Sequence, residues 1–242
     1  MYFADQAHVP YGDRPPDELR GFLADNFAFL AAQGADAVVM GCNTSCAVAA
    51  RYGWPATTMR IFDLIDAAAE TVLASGARRI GVIATTATAR SGAYGDAIRA
   101  RHANVNGPEA AIEIQEVAAP ALVPLVEAGT LEGPVVRDAV ATACASFELP
   151  LDAIILACTH YPLLDAHFEA VLAAGVTRID PALAQAERAA GFVAERGGEK
   201  GTGRTFYVTS GALEPFQRAV TLVCGSPGTN DAVERIAPKS LV

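Results

Sequence analysis

Seven consecutive residues of this chain occur twice in nearly the same form. Asp36-Ala37-Val38-Val39-Met40-Gly41-Cys42 aligns position for position with Asp152-Ala153-Ile154-Ile155-Leu156-Ala157-Cys158. Each copy is a short aliphatic run entered through Asp and left through a small residue, the composition of a strand buried on both faces. Such strands belong to parallel sheets covered by helices, so the repeat points to an α/β chain. Polar residues follow both copies, Asn43-Thr44 after the first and Thr159-His160 after the second. One copy alone reads equally well as core patterning, because the frame is common and Cys is frequently buried. Two copies that both end in Cys and hydrogen-bonding residues point to function. In open α/β sheets ligands collect beyond the carboxyl ends of strands, which is where both cysteines would stand.

The flanking sequence keeps the same rhythm. Asp17 to Gln33 carries Leu19, Phe22, Leu23, Phe27 and Leu30 at three- and four-residue spacing behind Pro15-Pro16, which predicts a helix. Ala37 to Met40 then predicts a strand, Ala47 to Tyr52 a helix, Ile61 to Ala74 a helix, Arg79 to Ala84 a strand and Ala93 to His102 a helix. Further strands are predicted at Ile112 to Val117, Ile154 to Leu156, Val176 to Ile179 and Phe206 to Thr209, with helices between most of them. The expected architecture is α/β with doubly wound parallel sheets. A chain of 242 residues that is 52% hydrophobic is long enough for one large domain or two small ones.

Charge and cysteine content narrow the function. A net charge of -9 with no cluster of Lys and Arg argues against nucleic acid as a partner. A small anionic ligand stays open, since helix N-termini bind anions locally. No uncharged run is long enough to span a bilayer and no export signal is apparent, so no membrane association is expected and the cytoplasm is the expected location. Five cysteines, an odd number without disulfide-framework spacing, fit a reducing compartment.

Two cysteines at strand-to-helix turns suggest acid/base chemistry on carbon. A thiolate is a good base for a carbon acid if a neighbouring group or helix N-terminus lowers its pKa, so both thiols can be activated. If one thiolate removes a proton from a stereocentre and a thiol on the opposite face returns one, the centre inverts, and exchanging the roles gives the reverse reaction. Other constellations are weaker. Cys42 and Cys46 share helical i, i+4 spacing, but no matching Cys/His pair follows, so no metal is expected and Cys46 reads as packing. Pyridoxal phosphate would need a Schiff-base lysine, and the two lysines, Lys200 and Lys239, lie in polar Gly- or Pro-containing contexts. The stretch containing Gly197, Gly198, Gly201 and Gly203 lacks the strand-before, helix-after context of a phosphate loop and reads as a surface turn.

Three motifs carry a resemblance to the glutamate racemase family, within the wider aspartate/glutamate racemase superfamily. Tyr2-Phe3-Ala4-Asp5 through Val9-Pro10-Tyr11-Gly12 resembles the family's early substrate loop. Cys42-Asn43-Thr44 resembles its first cysteine motif, and Cys158-Thr159-His160-Tyr161-Pro162-Leu163-Leu164 its second. Ile80 to Tyr94 and Val123 to Glu127 also match in order, so the similarity runs from Met1 to about Ala219. The resemblance implies two flavodoxin-like α/β domains facing one another, residues 1–72 with 182–242 and residues 73–181, with glutamate in the cleft and no cofactor. It further implies that Cys42 and Cys158 are the acid/base pair, that Tyr11, Gly12, Asn43, Thr44, Thr159 and His160 bind the substrate, and that His160 and Glu127 assist proton transfer beside Cys158. The product would supply D-glutamate for peptidoglycan.

One departure stands out. The family usually opens with a strand ending in Asp-Ser-Gly, then Gly-Gly and a helix, ahead of the segment resembling Tyr2 to Gly12. This sequence has no such unit, and neither Asp5 nor Asp13 occupies the matching position. The first domain's sheet is therefore expected to be short of a strand. The favoured explanation is that Met1 is an internal methionine of a longer natural chain; the alternative is a shortened relative whose gap a partner or second copy could cover, which leaves a homodimer open. Thr57 to Ile65 also matches the family poorly. The competing functions are aspartate or other amino-acid racemisation, and glutamate binding without turnover.

Overall fold

The computed structural model describes residues 1–196, 204–228 and 231–236. The Gly197 to Gly203 stretch and the two lysines lie outside the described residues. The strands are β1 (Tyr2–Ala4), β2 (Ala37–Val39), β3 (Arg60–Phe62), β4 (Arg79–Ala84), β5 (Glu113–Ala118), β6 (Ala153–Ala157), β7 (Thr177–Ile179), β8 (Phe206–Thr209) and β9 (Ala232–Arg235). The helices are α1 (Pro16–Ala32), α2 (Asn43–Tyr52), α3 (Leu64–Ser75), α4 (Thr86–Ser91), α5 (Ala93–Asn106), α6 (Leu122–Glu127), α7 (Pro134–Cys144), α8 (Asp165–Val171), α9 (Pro181–Glu195) and α10 (Leu213–Cys224). Every strand pair among the described residues is parallel, as the repeat predicts. No helix among the described residues is long and apolar enough to cross a membrane.

The four-stranded sheet runs β5-β4-β6-β7. From β4 the chain crosses through α4 and α5 to β5 on one side, then returns through α6 and α7 to β6 on the other. That reversal opens a crevice at the carboxyl ends of β4 and β6. The register pairs Ala84 with Ala157, so Thr85 and Cys158 leave the sheet side by side. Alternation divides β6 between two cores: Ala153, Ile155 and Ala157 pack with α3 and α5, while Ile154, Leu156 and Cys158 face α7, α8 and Phe168. The aspartate that opens this repeat copy is structural. Its carboxylate accepts the backbone N–H groups of Arg78 and Arg79 at 3.0 and 2.9 Å and the Arg79 guanidinium, which together hold it well below the usual carboxylate range. It ties the start of β6 to the start of β4.

The other strands form two separate sheets, β1-β8-β9 and β2-β3, with one edge of β1 and one of β2 unpaired. The parallel-sheet class holds, but this half is split rather than wound into one continuous sheet. β2 is accordingly less buried than its repeat partner β6: Val38 is in the core and Val39 is exposed. Helix α1 spans both pieces. Leu23 and Phe27 pack with Val38, and Phe29 packs with Val208 and Phe3.

The helix expected over Ile61 to Ala74 is corrected at its start. Arg60 to Phe62 pairs with Ala37 to Val39 as β3, and the helix begins only at Leu64. Asp63 makes the boundary: its carboxylate caps the first turn by accepting the Asp66 N–H at 2.8 Å. The helix expected from Ala47 also begins earlier, at Asn43, so that Cys42 becomes its N-cap residue.

Candidate active site

Cys42 stands between the end of β2 and the first turn of α2, and Asn43, Thr44 and Ser45 of that turn are all buried. Its carbonyl accepts the Cys46 N–H at 3.1 Å. Cys46, one turn on, is fully buried in the core between α2 and α3, and burial pushes its thiol up, whereas Cys42 is half-buried. Among the described residues no cluster of three His, Cys, Asp or Glu side chains could hold a metal ion.

Asn43 and Thr44 reach across to the four-stranded sheet. The Tyr94 hydroxyl, on α5, donates to Asn43 Oδ1, with both residues buried. Thr44 Oγ1 lies 3.0 Å from Thr85 Oγ1 and 3.3 Å from Thr88 Oγ1, and Thr85 donates to Thr88 at 3.0 Å. Gly12 joins this cluster through its backbone: its carbonyl accepts the Ala87 N–H at 3.2 Å, and a Cβ there would stand 3.2 Å from the Thr85 Cβ. Only a glycine allows that approach without displacing Thr85.

Tyr11 is held by a carboxylate at the end of β1. Asp5 accepts from the Tyr11 hydroxyl, from Ser210 Oγ at 2.7 Å and from His8 Nδ1 at 2.8 Å, and the His8 ring stacks on Phe22 at 3.9 Å. Burial and the Asp5 hydrogen bond push the Tyr11 hydroxyl up, and Cys42 is near enough for its charge to act in the same direction. Tyr11 therefore remains a neutral donor beside the first thiol.

Two titratable side chains line up behind the second thiol. Cys158 Sγ is 3.6 Å from His160 Nδ1, and His160 Nε2 is 2.6 Å from Glu127 Oε1 at the end of α6. In the chain without substrate, burial works against ionisation of Cys158. Burial pushes it up to about 12; the N–H groups of His160 and Tyr161 pull it back, while charge on Cys42 and Glu127 raises it. A four-residue 3-10 turn, Tyr161–Leu164, follows this strand instead of a full helix, so fewer aligned amides face the sulfur than a helix start would supply. Cys42 lies within electrostatic reach of Cys158. Thr159, between Cys158 and His160, is exposed.

Hydrogen bonds thus join Asn43 and Thr44, next to Cys42, to Tyr94, Thr85 and Thr88 beside the sheet that carries Cys158, and the Gly12 backbone reaches the same cluster. Known proteins resemble the chain over most of its length. Residues 6–189 match the model of the Asp/Glu/hydantoin racemase family. The chain belongs to this family. It is 39% identical over 228 residues to a glutamate racemase of Desulforudis audaxviator, covering 90% of this chain and 81% of that one. It is 38% identical over 221 residues to the glutamate racemase of Gloeobacter violaceus, covering 90% and 80%. Among solved structures, glutamate racemase from Thermus thermophilus in complex with beta-chloro-D-alanine superposes with a TM-score of 0.81 at 32% identity, covering 98% of this chain and 86% of that one.

Thr85, Thr88, Tyr94 and Asp5 were not singled out in the sequence as candidates of this family's site, although the structure puts each in contact with one. Thr85 had a usable signal, because it directly follows the strand that pairs with β6. Asp5 and Tyr94 lie within stretches that carry the family resemblance, but their contacts, 6 and 51 residues away along the chain, are set by the fold. Tyr94→Phe tests the bridge between the halves. It keeps the ring and leaves Asn43 Oδ1 buried without its donor, which costs about 1–3 kcal/mol. The expected result is a Tm lower by roughly 3–10 °C in thermal unfolding, and an unchanged Tm would show that water replaces the bond.

Proposed function

We propose that the chain interconverts L- and D-glutamate without a cofactor, with Cys42 and Cys158 addressing opposite faces of the substrate Cα. The observation that carries this is the pair of thiols delivered by the two repeat strands to one crevice, close enough for charge on one to raise the other. The glutamate racemases at 38 and 39% identity support the choice of substrate. The chain's division into residues 1–72 with 182–242 and residues 73–181 is part of the same proposal, each portion forming one wall of the cleft.

In this mechanism the thiolate on one face takes the Cα proton, the carbanion flattens, and the thiol on the other face delivers its proton. The first sulfur ends as a thiol and the second as a thiolate, so the opposite reaction is the same sequence reversed. Tyr11, Gly12, Asn43, Thr44, Thr159 and His160 would hold the charged ends of glutamate. The Asn43 amide nitrogen is the group left for a carboxylate, because its oxygen already accepts from Tyr94. His160, backed by Glu127, would move protons to and from Cys158. The product would serve as the D-glutamate of peptidoglycan.

The test is incubation of the purified chain with L- and D-glutamate in deuterated water, following loss of the Cα proton by NMR and inversion by circular dichroism, with aspartate in parallel. Exchange and inversion of glutamate from both enantiomers are expected. Faster turnover of aspartate would reassign the substrate, and binding of glutamate to folded protein with no exchange would leave a non-catalytic relative.

A further inference from the structure

Gln185 is a buried polar side chain, 4% exposed, that the two-thiol mechanism does not use. It sits one turn into α9, and its amide nitrogen donates to the Met40 carbonyl at 2.9 Å and to the Phe62 carbonyl at 2.8 Å. An amide NH2 has two hydrogens, and both are used. The two carbonyls lie just where β2 and β3 end. The ladder closes with the Met40 N–H donating to Phe62 at 2.9 Å, and beyond that point no strand among the described residues takes the Met40 carbonyl. Gln185 takes it, two residues before Cys42.

The helix that carries this side chain begins on the other sheet. β7 ends at Ile179, Asp180 caps α9 by accepting the Ala182 N–H at 2.9 Å, and Gln185 follows within about 8 Å of helix axis. One turn further, Arg188 pairs with Asp66 at 2.7 Å and Glu70 at 3.4 Å on α3, and Asp66 also holds Arg101 of α5 at 2.6 Å. Helix α9 is thereby fixed at its start to the sheet that bears Cys158 and along its length to α3. Its one polar grip on the Cys42 strand end among these contacts is Gln185.

We infer that Gln185 is a positioning residue for Cys42: by gripping the ends of β2 and β3 from α9, it sets the distance of the first thiol from the second across the substrate. This rests on the two-thiol reading. Misplacing one reacting group by about 1 Å can cost 10²-fold in rate, and loss of both hydrogen bonds frees the segment that leads directly into Cys42. The consequence is one-sided. Cys158 keeps its place and can still exchange the Cα proton of the enantiomer it faces, but the return of a proton from the opposite side becomes slow.

The test compares the wild-type chain, Gln185→Met and Gln185→Glu by thermal unfolding and by exchange and inversion of both glutamate enantiomers in deuterated water. Met matches the shape without donors, and Glu sets a carboxylate against two carbonyls. For folded Gln185→Met, inversion is expected to fall about tenfold or more. Exchange should outrun inversion from one enantiomer only, the same one that a Cys42→Ala variant still exchanges, and Gln185→Glu should be worse. If Gln185→Met does not fold, Gln185→His, which keeps one N–H donor, carries the same comparison. A folded variant whose exchange-to-inversion ratio stays at the wild-type value from both enantiomers overturns the inference, whatever its Tm. A wild-type chain that exchanges neither enantiomer would sink the two-thiol reading and this inference with it.

Discussion

Replacing either Cys42 or Cys158 by alanine is expected to reduce racemisation by about 10³-fold or more in both directions. Inversion needs one group to take the proton and a second, on the other face, to give one back. Loss of either breaks both directions if, as proposed, each thiol is base in one and acid in the other. The two losses should not multiply: the double variant is expected to invert glutamate no more slowly than the worse single variant, since the residues act as a unit. What separates the single variants is exchange. Cys42→Ala retains Cys158 and should still wash deuterium into one enantiomer without inverting it, and Cys158→Ala should do so with the other. A thiol that only filled the core would give a different result, a loss of stability with the rate intact. Inversion within tenfold of wild type in Cys158→Ala would sink its catalytic assignment.

The repeat made both ends of this pair legible because it writes structure and chemistry into the same seven residues. Val38 and Ile155 are core and their neighbours are strand, a consequence of apolar runs that only a parallel sheet buries well. The cysteines were legible as strand-end residues for the same reason. The repeat's equivalence fails at its first residue as well as at Val39, which is exposed where Ile155 is buried. Asp152 is locked by Arg78 and Arg79, whereas Asp36 has an arginine 3.9 Å away and remains largely exposed. Nor did local pattern reveal β3, three residues long and joined to a helix through Asp63 alone, because Ile61, Leu64 and Ile65 fit the helical period. Contacts between distant segments were beyond the sequence for a further reason. Thr44 meets Thr85, and Gln185 meets Met40, only after the intervening crossovers bring their elements together. The burial of Cys158 was not legible either, because exposure is set by packing: the strand-end position allows activation, and burial with Leu156 and Phe168 opposes it.

That burial leads to the second large effect. With Cys158 pushed up to about 12, roughly one molecule in 10⁴ to 10⁵ carries the thiolate near neutral pH. A base so rarely present needs its proton taken as the substrate arrives. His160, 3.6 Å from the sulfur and anchored by Glu127 at 2.6 Å, is the group placed to take it. The substrate's α-ammonium would act in the same direction, since a nearby positive charge favours the thiolate. His160→Asn is therefore expected to lower kcat/KM about 10²-fold or more, and Glu127→Gln by a smaller factor because the imidazole remains. The two enantiomers have equal free energy, so kcat/KM must fall equally from both sides. The asymmetry appears in the primary deuterium isotope effect, which should rise with the enantiomer that Cys158 deprotonates and fall with the other. The pH profile should change as well. Without the imidazole the rate depends on direct ionisation of a thiol whose pKa is raised, so activity should climb about tenfold per pH unit through the neutral range, where wild type is flatter. A His160→Asn variant within threefold of wild type, with the same profile and isotope effects, would assign proton transfer at Cys158 to the thiol and substrate alone.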